Sequence, residues 1–149
     1  MYSVLIVSQG RLAEELLAGG RKIAGDLPNF EALELAWDDD LDAARRKVKQ
    51  TAERLLGEQG LLILVDMFGG TPSNAALGLL EPGRVEILTG VNLPMVVRLG
   101  CLAGQHRTVG EAAEWLQVKG QGSICRPGRM KPDPAPEPCE QVPCERARA

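Results

Sequence analysis

No apolar run in this chain of 149 residues approaches the roughly 18 that a membrane-spanning helix requires. No leader with a basic start and an apolar middle precedes the first strand-like segment, so the expected location is the cytoplasm, with any membrane association indirect. Clusters of Lys and Arg are also scarce, with Arg45, Arg46, Lys47 and Lys49 reading as the solvated face of a helix, and the net charge is −3. A nucleic-acid-binding surface would need a basic stripe or patch, so no nucleic-acid partner is expected. The four cysteines, Cys101, Cys125, Cys139 and Cys144, include no CxxC pair and do not form a disulfide framework. Cys139 and Cys144 lack the third and fourth ligands of a zinc site, and neither a metal nor a cofactor is expected. The single histidine is His106, in GQHRT. Neither GxGxxG nor GxxxxGK[ST] occurs, which counts against dinucleotide and P-loop chemistry.

What is present is an alternation of strand-like and helix-like segments. Tyr2 to Val7 is a short apolar run ending at Ser8-Gln9-Gly10, and helical spacing follows through Leu12, Leu16 and Ile23. Gly19 and Gly20 lie inside that helix at a cost of about 1 kcal/mol each relative to Ala, which predicts close packing or a local irregularity. Phe30 to Leu35 reads as a second strand. Asp38, Asp39 and Asp40 then offer caps for a helix whose apolar stripe is Leu41, Ala44, Val48, Ala52 and Leu55. The alternative reading of the three acids, a metal site, is opposed by their adjacency, which points the side chains in different directions.

The stretch Leu61 to Ala76, LLILVDMFGGTPSNAA, carries most of the chemistry. Leu61 to Val65 suits a strand covered on both faces, and Asp66 marks its carboxyl end. Gly69 and Gly70 permit a sharp turn or close approach of a ligand, Thr71 is the expected N-cap, and Pro72 fits the first helical position. The helix is expected to run to Leu80, before the turn Glu81-Pro82-Gly83. Val85 to Leu88 is a fourth strand, followed by Thr89 to Asn92 and a helix beginning near Pro94. Thr108 and Glu111 have capping-box spacing ahead of another helix, and Ser123 to Cys125 reads as a short last strand. From Arg126 onward, six prolines and few large apolar residues predict a tail that cannot offset its ordering entropy.

Alternating strands and helices predict an α/β domain over residues 1–125, with a doubly wound, mainly parallel sheet, and a Pro-rich disordered tail over 126–149. Ligands of such sheets sit beyond the carboxyl ends of the strands, where strand order reverses. If the first strand is central, the loops at Ser8 to Gly10, Asp66 to Ser73 and Thr89 to Pro94 converge there.

VLIVSQG, VDMFGGTPSNAA and TGVNLPM, at their mutual spacing, resemble the IIA domain of the mannose-family, phosphoenolpyruvate-dependent sugar phosphotransferase system, over Met1 to about Cys125. The dihydroxyacetone-kinase phosphotransfer subunit has a related fold, and GGTPSNAA followed by GVNLPM favours the sugar-transport branch. The resemblance implies a flavodoxin-like sheet of four strands and a homodimer that exchanges a C-terminal strand, here Gly122 to Cys125. It also implies phosphoryl relay from HPr to a IIB domain. The family's phosphoryl-accepting histidine immediately precedes the glycine of the first loop, and that position is Gln9. A carboxamide is neither a useful nucleophile nor a titrating base. Asp66 corresponds to the acid that orients the histidine, and the Gln9 amide is a conceivable donor to it. Gly10, Gly69, Gly70, Thr71 and Ser73 would supply close approach and donors for an anion, or serve only turn and capping chemistry.

Three functions follow as expectations. The first is a IIA-like regulatory or partner-binding homologue that does not carry phosphate on histidine. The second is an active phosphocarrier, with Gln9 an engineered or erroneous replacement or with Ser8, Ser73, Asp66 or the displaced His106 as acceptor. The third is a sensor of a small anion or nucleotide in the same crevice.

Overall fold

In the computed structural model, which describes residues 1–101 and 108–129, four strands form one parallel sheet. The strands are β1 (Ser3–Gln9), β2 (Phe30–Leu35), β3 (Leu61–Val65) and β4 (Val85–Thr89). Their spatial order is β2-β1-β3-β4, with every adjacent pair parallel. The helices are α1 (Leu12–Ala24), α2 (Leu41–Leu55), α3 (Thr71–Ala76), α4 (Leu93–Cys101) and α5 (Val109–Gln121). His106 and the tail cysteines Cys139 and Cys144 lie outside the described residues.

The pleat assigns the two layers. Val4 and Ile6 of β1 and Leu62 and Leu64 of β3 turn to one face, where they meet α1, α4 and α5 through Leu17, Val96, Leu99, Ala112 and Leu116. Leu5, Val7, Ile63 and Val65 turn to the other, against Ala44, Val48 and Ala52 of α2 and Ala75 and Ala76 of α3. All five residues of β3 are fully buried, as a strand covered on both faces requires. At about 1.5–3 kcal/mol for each buried Leu, Ile or Val, this strand is a principal anchor of the fold.

Small residues let the helices on the first face pack closely. A β-carbon on Gly20 would lie 2.6 Å from Val96 Cγ1, and one on Gly100 would lie 2.5 Å from Leu27 Cδ2. Gly20 in α1 therefore reflects close packing against α4. The anticipated capping box is present at α5: Thr108 Oγ1 accepts from the Glu111 N–H and Glu111 Oε2 accepts from the Thr108 N–H, each at 3.1 Å.

Three local expectations change. Strand β1 extends through Ser8 to Gln9, because both continue the pairing with β2 up to Leu35. The segment after β3 ends as a helix at Ala76 and finishes as a 3-10 turn, Leu77–Leu79, so the helix does not continue to Leu80. Ser123 to Cys125 forms no strand with the chain's own sheet; after α5 the backbone turns, with Ser123 Oγ donating to the Gly120 carbonyl at 2.6 Å. Among the described residues, no helix is long and apolar enough to cross a membrane.

Candidate functional site

The sheet order makes β1 and β3 the central pair, and the chain leaves them in opposite directions. Their carboxyl ends therefore open the crevice at the switch point. Gln9, half-buried, closes β1 on one lip, and Asp66, also half-buried, follows β3 on the other.

Gly10 turns the first loop at φ +61°, a conformation that favours glycine. Its N–H donates to the Leu35 carbonyl at 2.9 Å, fastening the loop to the end of β2. Ser8 is fully buried; its Oγ donates to the Gly10 carbonyl at 3.1 Å and accepts the Ala13 N–H at 2.8 Å. Both bonds are structural, and they tie the loop to the first turn of α1.

The loop after β3 is built by its own polar groups. Asp66 Oδ1 accepts the Met67 N–H at 2.8 Å. Gly69 adopts φ +83°, and Asn74 Nδ2 donates to its carbonyl at 3.2 Å. The N-cap of α3 is Gly70, not Thr71: Gly70 has extended backbone and its carbonyl accepts the Asn74 N–H at 2.9 Å. Thr71 is the first helical residue and Pro72 the second, a shift of one position that leaves the cap without a side-chain hydrogen bond. Ser73 is fully buried, and its hydroxyl has no hydrogen-bond partner among the described residues.

The third loop joins the same edge. The Val91 N–H donates to the Val65 carbonyl at 3.0 Å, and Asn92 Oδ1 accepts the Met95 N–H at 3.1 Å to cap α4. The three predicted loops thus converge. The suggested contact across them does not form: among the described residues no hydrogen bond joins Gln9 to Asp66, and Asp66 Oδ1 accepts within its own loop.

Within the triple Asp, Asp40 caps α2 and Asp39 holds the turn before it. Asp40 accepts the Ala43 N–H at 2.7 Å, while Asp39 accepts the Ala36 N–H at 2.8 Å and pairs with Lys47 at 2.7 Å. The Lys47 hydrogen bond, aided by the Ala36 N–H, holds the Asp39 carboxyl below its ordinary range despite some desolvation. Among the described residues, no group of His, Cys, Asp and Glu could hold a metal ion.

Sequence reasoning overlooked the apolar side chains around this crevice. Trp37 follows β2 and its indole Nε1 lies 3.0 Å from where a β-carbon on Gly10 would stand, yet the residue is 78% exposed. Met67 and Phe68 follow Asp66 and are 61% and 71% exposed. Large apolar residues inside polar loops, AWDDD and VDMFGG, were the available signal.

Comparison with known proteins agrees with this architecture. The family model described as the PTS system fructose IIA component matches residues 3–117. The PTS system fructose-specific EIIA component of Bacillus subtilis is 32% identical over 125 residues, covering 83% of this chain and 85% of the relative. The PTS system mannose-specific EIIAB component of Escherichia coli is 29% identical over 96 residues, covering 64% of this chain but 30% of that longer protein. The solved mannose/sorbose-specific IIA subunit from Enterococcus faecalis superposes with a TM-score of 0.73 at 27% identity, covering 84% of this chain and 93% of that one. With a family model spanning most of its length and a four-stranded parallel sheet of matching form, this chain belongs to the mannose-family IIA components of the sugar phosphotransferase system.

Proposed function

We propose that this chain is a IIA-type component that docks on the relay partners HPr and a IIB domain in the cytoplasm without carrying the phosphoryl group on a histidine. The observation that carries this reading is Gln9, a carboxamide at the end of β1 on the lip of the switch-point crevice, opposite Asp66. Phosphoryl transfer through a protein side chain requires a nucleophile that can also leave, and a carboxamide offers neither property. Gly10, Gly69, Gly70 and Thr71 retain the turns of an anion-accepting crevice, with Ser73 buried behind them. The role follows as partner binding or competition with an active homologue.

The same reading includes a homodimer made by exchange of residues 122–125. Among the described residues no strand lies beside the outer edge of β4, and a groove of about 570 Å³ runs along it, lined by Phe68, Leu77, Leu80, Leu88, Met95 and Ile124. An open, apolar strand edge is a template for adding a strand from another chain. Ile124, 85% exposed, belongs to the segment that would cross.

Incubation with phosphoenolpyruvate, enzyme I and HPr tests the reading. The wild-type chain is expected to remain unlabelled while binding HPr or the IIB domain. An acid-labile phosphoryl group on the wild-type chain would overturn it in favour of an active carrier. Labelling of Gln9→His alone would identify the nucleophile as the missing part.

A further inference from the structure

Gly10, the residue after Gln9, is held by three contacts. Its N–H donates to the Leu35 carbonyl at 2.9 Å, and its own carbonyl accepts the Ser8 hydroxyl at 3.1 Å. The place that a β-carbon would take is covered by the Trp37 indole, with Nε1 at 3.0 Å and Cε2 and Cζ2 each at 3.3 Å. Trp37 remains largely in solvent, so area removed from water gives little reason for a tryptophan here. Its contact with Gly10 gives one.

The turn that carries Trp37 is itself fastened. The Asp39 N–H donates to the Ala36 carbonyl at 3.2 Å while the Asp39 carboxylate accepts the Ala36 N–H at 2.8 Å, which closes a loop around Trp37 and Asp38. The same carboxylate, its side chain 11% exposed, pairs with Lys47 of α2 at 2.7 Å. A line of contacts therefore runs from α2 through the β2–α2 turn to Gly10. Glycine has more backbone freedom to lose than any other residue, so an unsupported glycine turn leaves its neighbour loosely placed. A group misplaced by about 1 Å can cost about a hundredfold in rate. We propose that Trp37 is a positioning residue: its indole closes the open side of Gly10 and so fixes where the side chain at position 9 is presented, with the Asp39–Lys47 pair locking the indole from α2. The role holds whichever group stands at position 9, and so goes beyond the docking function above without resting on it.

Native-state hydrogen exchange of the Gly10 amide, followed by NMR, tests the proposal. Trp37→Ala is expected to speed that exchange about tenfold or more relative to the amides of Leu5 to Val7 in the middle of β1, with Lys47→Met having a smaller effect and Trp37→Phe restoring part of the protection. Phosphoryl labelling of the Gln9→His chain by phospho-HPr gives a second readout. Adding Trp37→Ala to that chain should lower the rate at saturating HPr several-fold and leave the half-saturating HPr concentration little changed. Gly10 exchange that is the same in Trp37→Ala as in wild type overturns the proposal. So does a labelling defect confined to the half-saturating concentration, which would assign Trp37 to the partner's contact surface instead. A Gln9→His chain that takes no label bears on the relay chemistry alone, and the exchange result then decides the positioning role.

Discussion

Asp66 Oδ1 accepts the Met67 N–H at 2.8 Å, so the acid beside the crevice holds its own loop and makes no hydrogen bond to Gln9 on the adjacent central strand. Asp66→Ala is therefore expected to lower stability by about 1 kcal/mol through loss of one backbone acceptor, and Asp66→Asn by less, because an amide oxygen can replace it. Urea unfolding checks this, and an Asp66→Ala midpoint equal to wild type would mean the bond contributes nothing in solution.

The Gly20 and Val96 contact predicts a substitution that runs against helix propensity. Alanine in a helix is favoured over glycine by about 1 kcal/mol. A β-carbon 2.6 Å from the stiff Val96 side chain forces a shift between α1 and α4, and such overpacking costs about 1–3 kcal/mol. Gly20→Ala should thus be neutral to destabilising, by up to about 2 kcal/mol, and adding Val96→Ala should lessen the effect of the glycine substitution. Thermal melts of the two single variants and the double variant read the coupling.

Asp39 supplies a pH dependence of known sign. Its folded-state pKa lies below the ordinary value of 3.8, chiefly through the Lys47 hydrogen bond. The stabilisation is therefore fully present above that ordinary value and is lost as pH falls through the lower, folded one. Lys47→Met should flatten the acid limb of the stability curve below about pH 4 and leave its shape near pH 7 unchanged, as followed by urea midpoints across pH.

Ile124→Asp tests the proposed exchange of the C-terminal segment. Ile124 is exposed within one chain, so the change should leave the fold of a single chain intact. A charge in the segment that would cover the apolar β4 groove should move the population from dimer to monomer by at least about tenfold in dissociation constant. Sedimentation velocity distinguishes this from a chain that is monomeric throughout.

Elements with strong local patterns were legible from the sequence. The uniformly apolar LLILV gave a doubly covered strand, and Thr108 with Glu111 gave a capping box, because both depend on residue type and short spacing. The three loops of the site were also identifiable, since glycine, proline and Asx residues mark strand-to-helix turns. Thr71 misled because glycine can cap with its backbone alone, so a hydroxyl one position later was the more conspicuous candidate. The Gln9 and Asp66 contact misled for another reason: adjacency of two strand ends in the sheet does not bring their side chains into contact, and Asp66 Oδ1 accepts the N–H of the next residue in its own loop. Trp37 was missed because its importance arises only when β2 is laid beside β1 and the indole reaches Gly10.

The central claim is that the crevice keeps its architecture without its nucleophile, and phosphoryl labelling of wild type beside Gln9→His tests it most directly. With phosphoenolpyruvate, enzyme I and HPr present, the account predicts no label on the wild-type chain and an acid-labile label on Gln9→His. A label of comparable extent on the wild-type chain would contradict it.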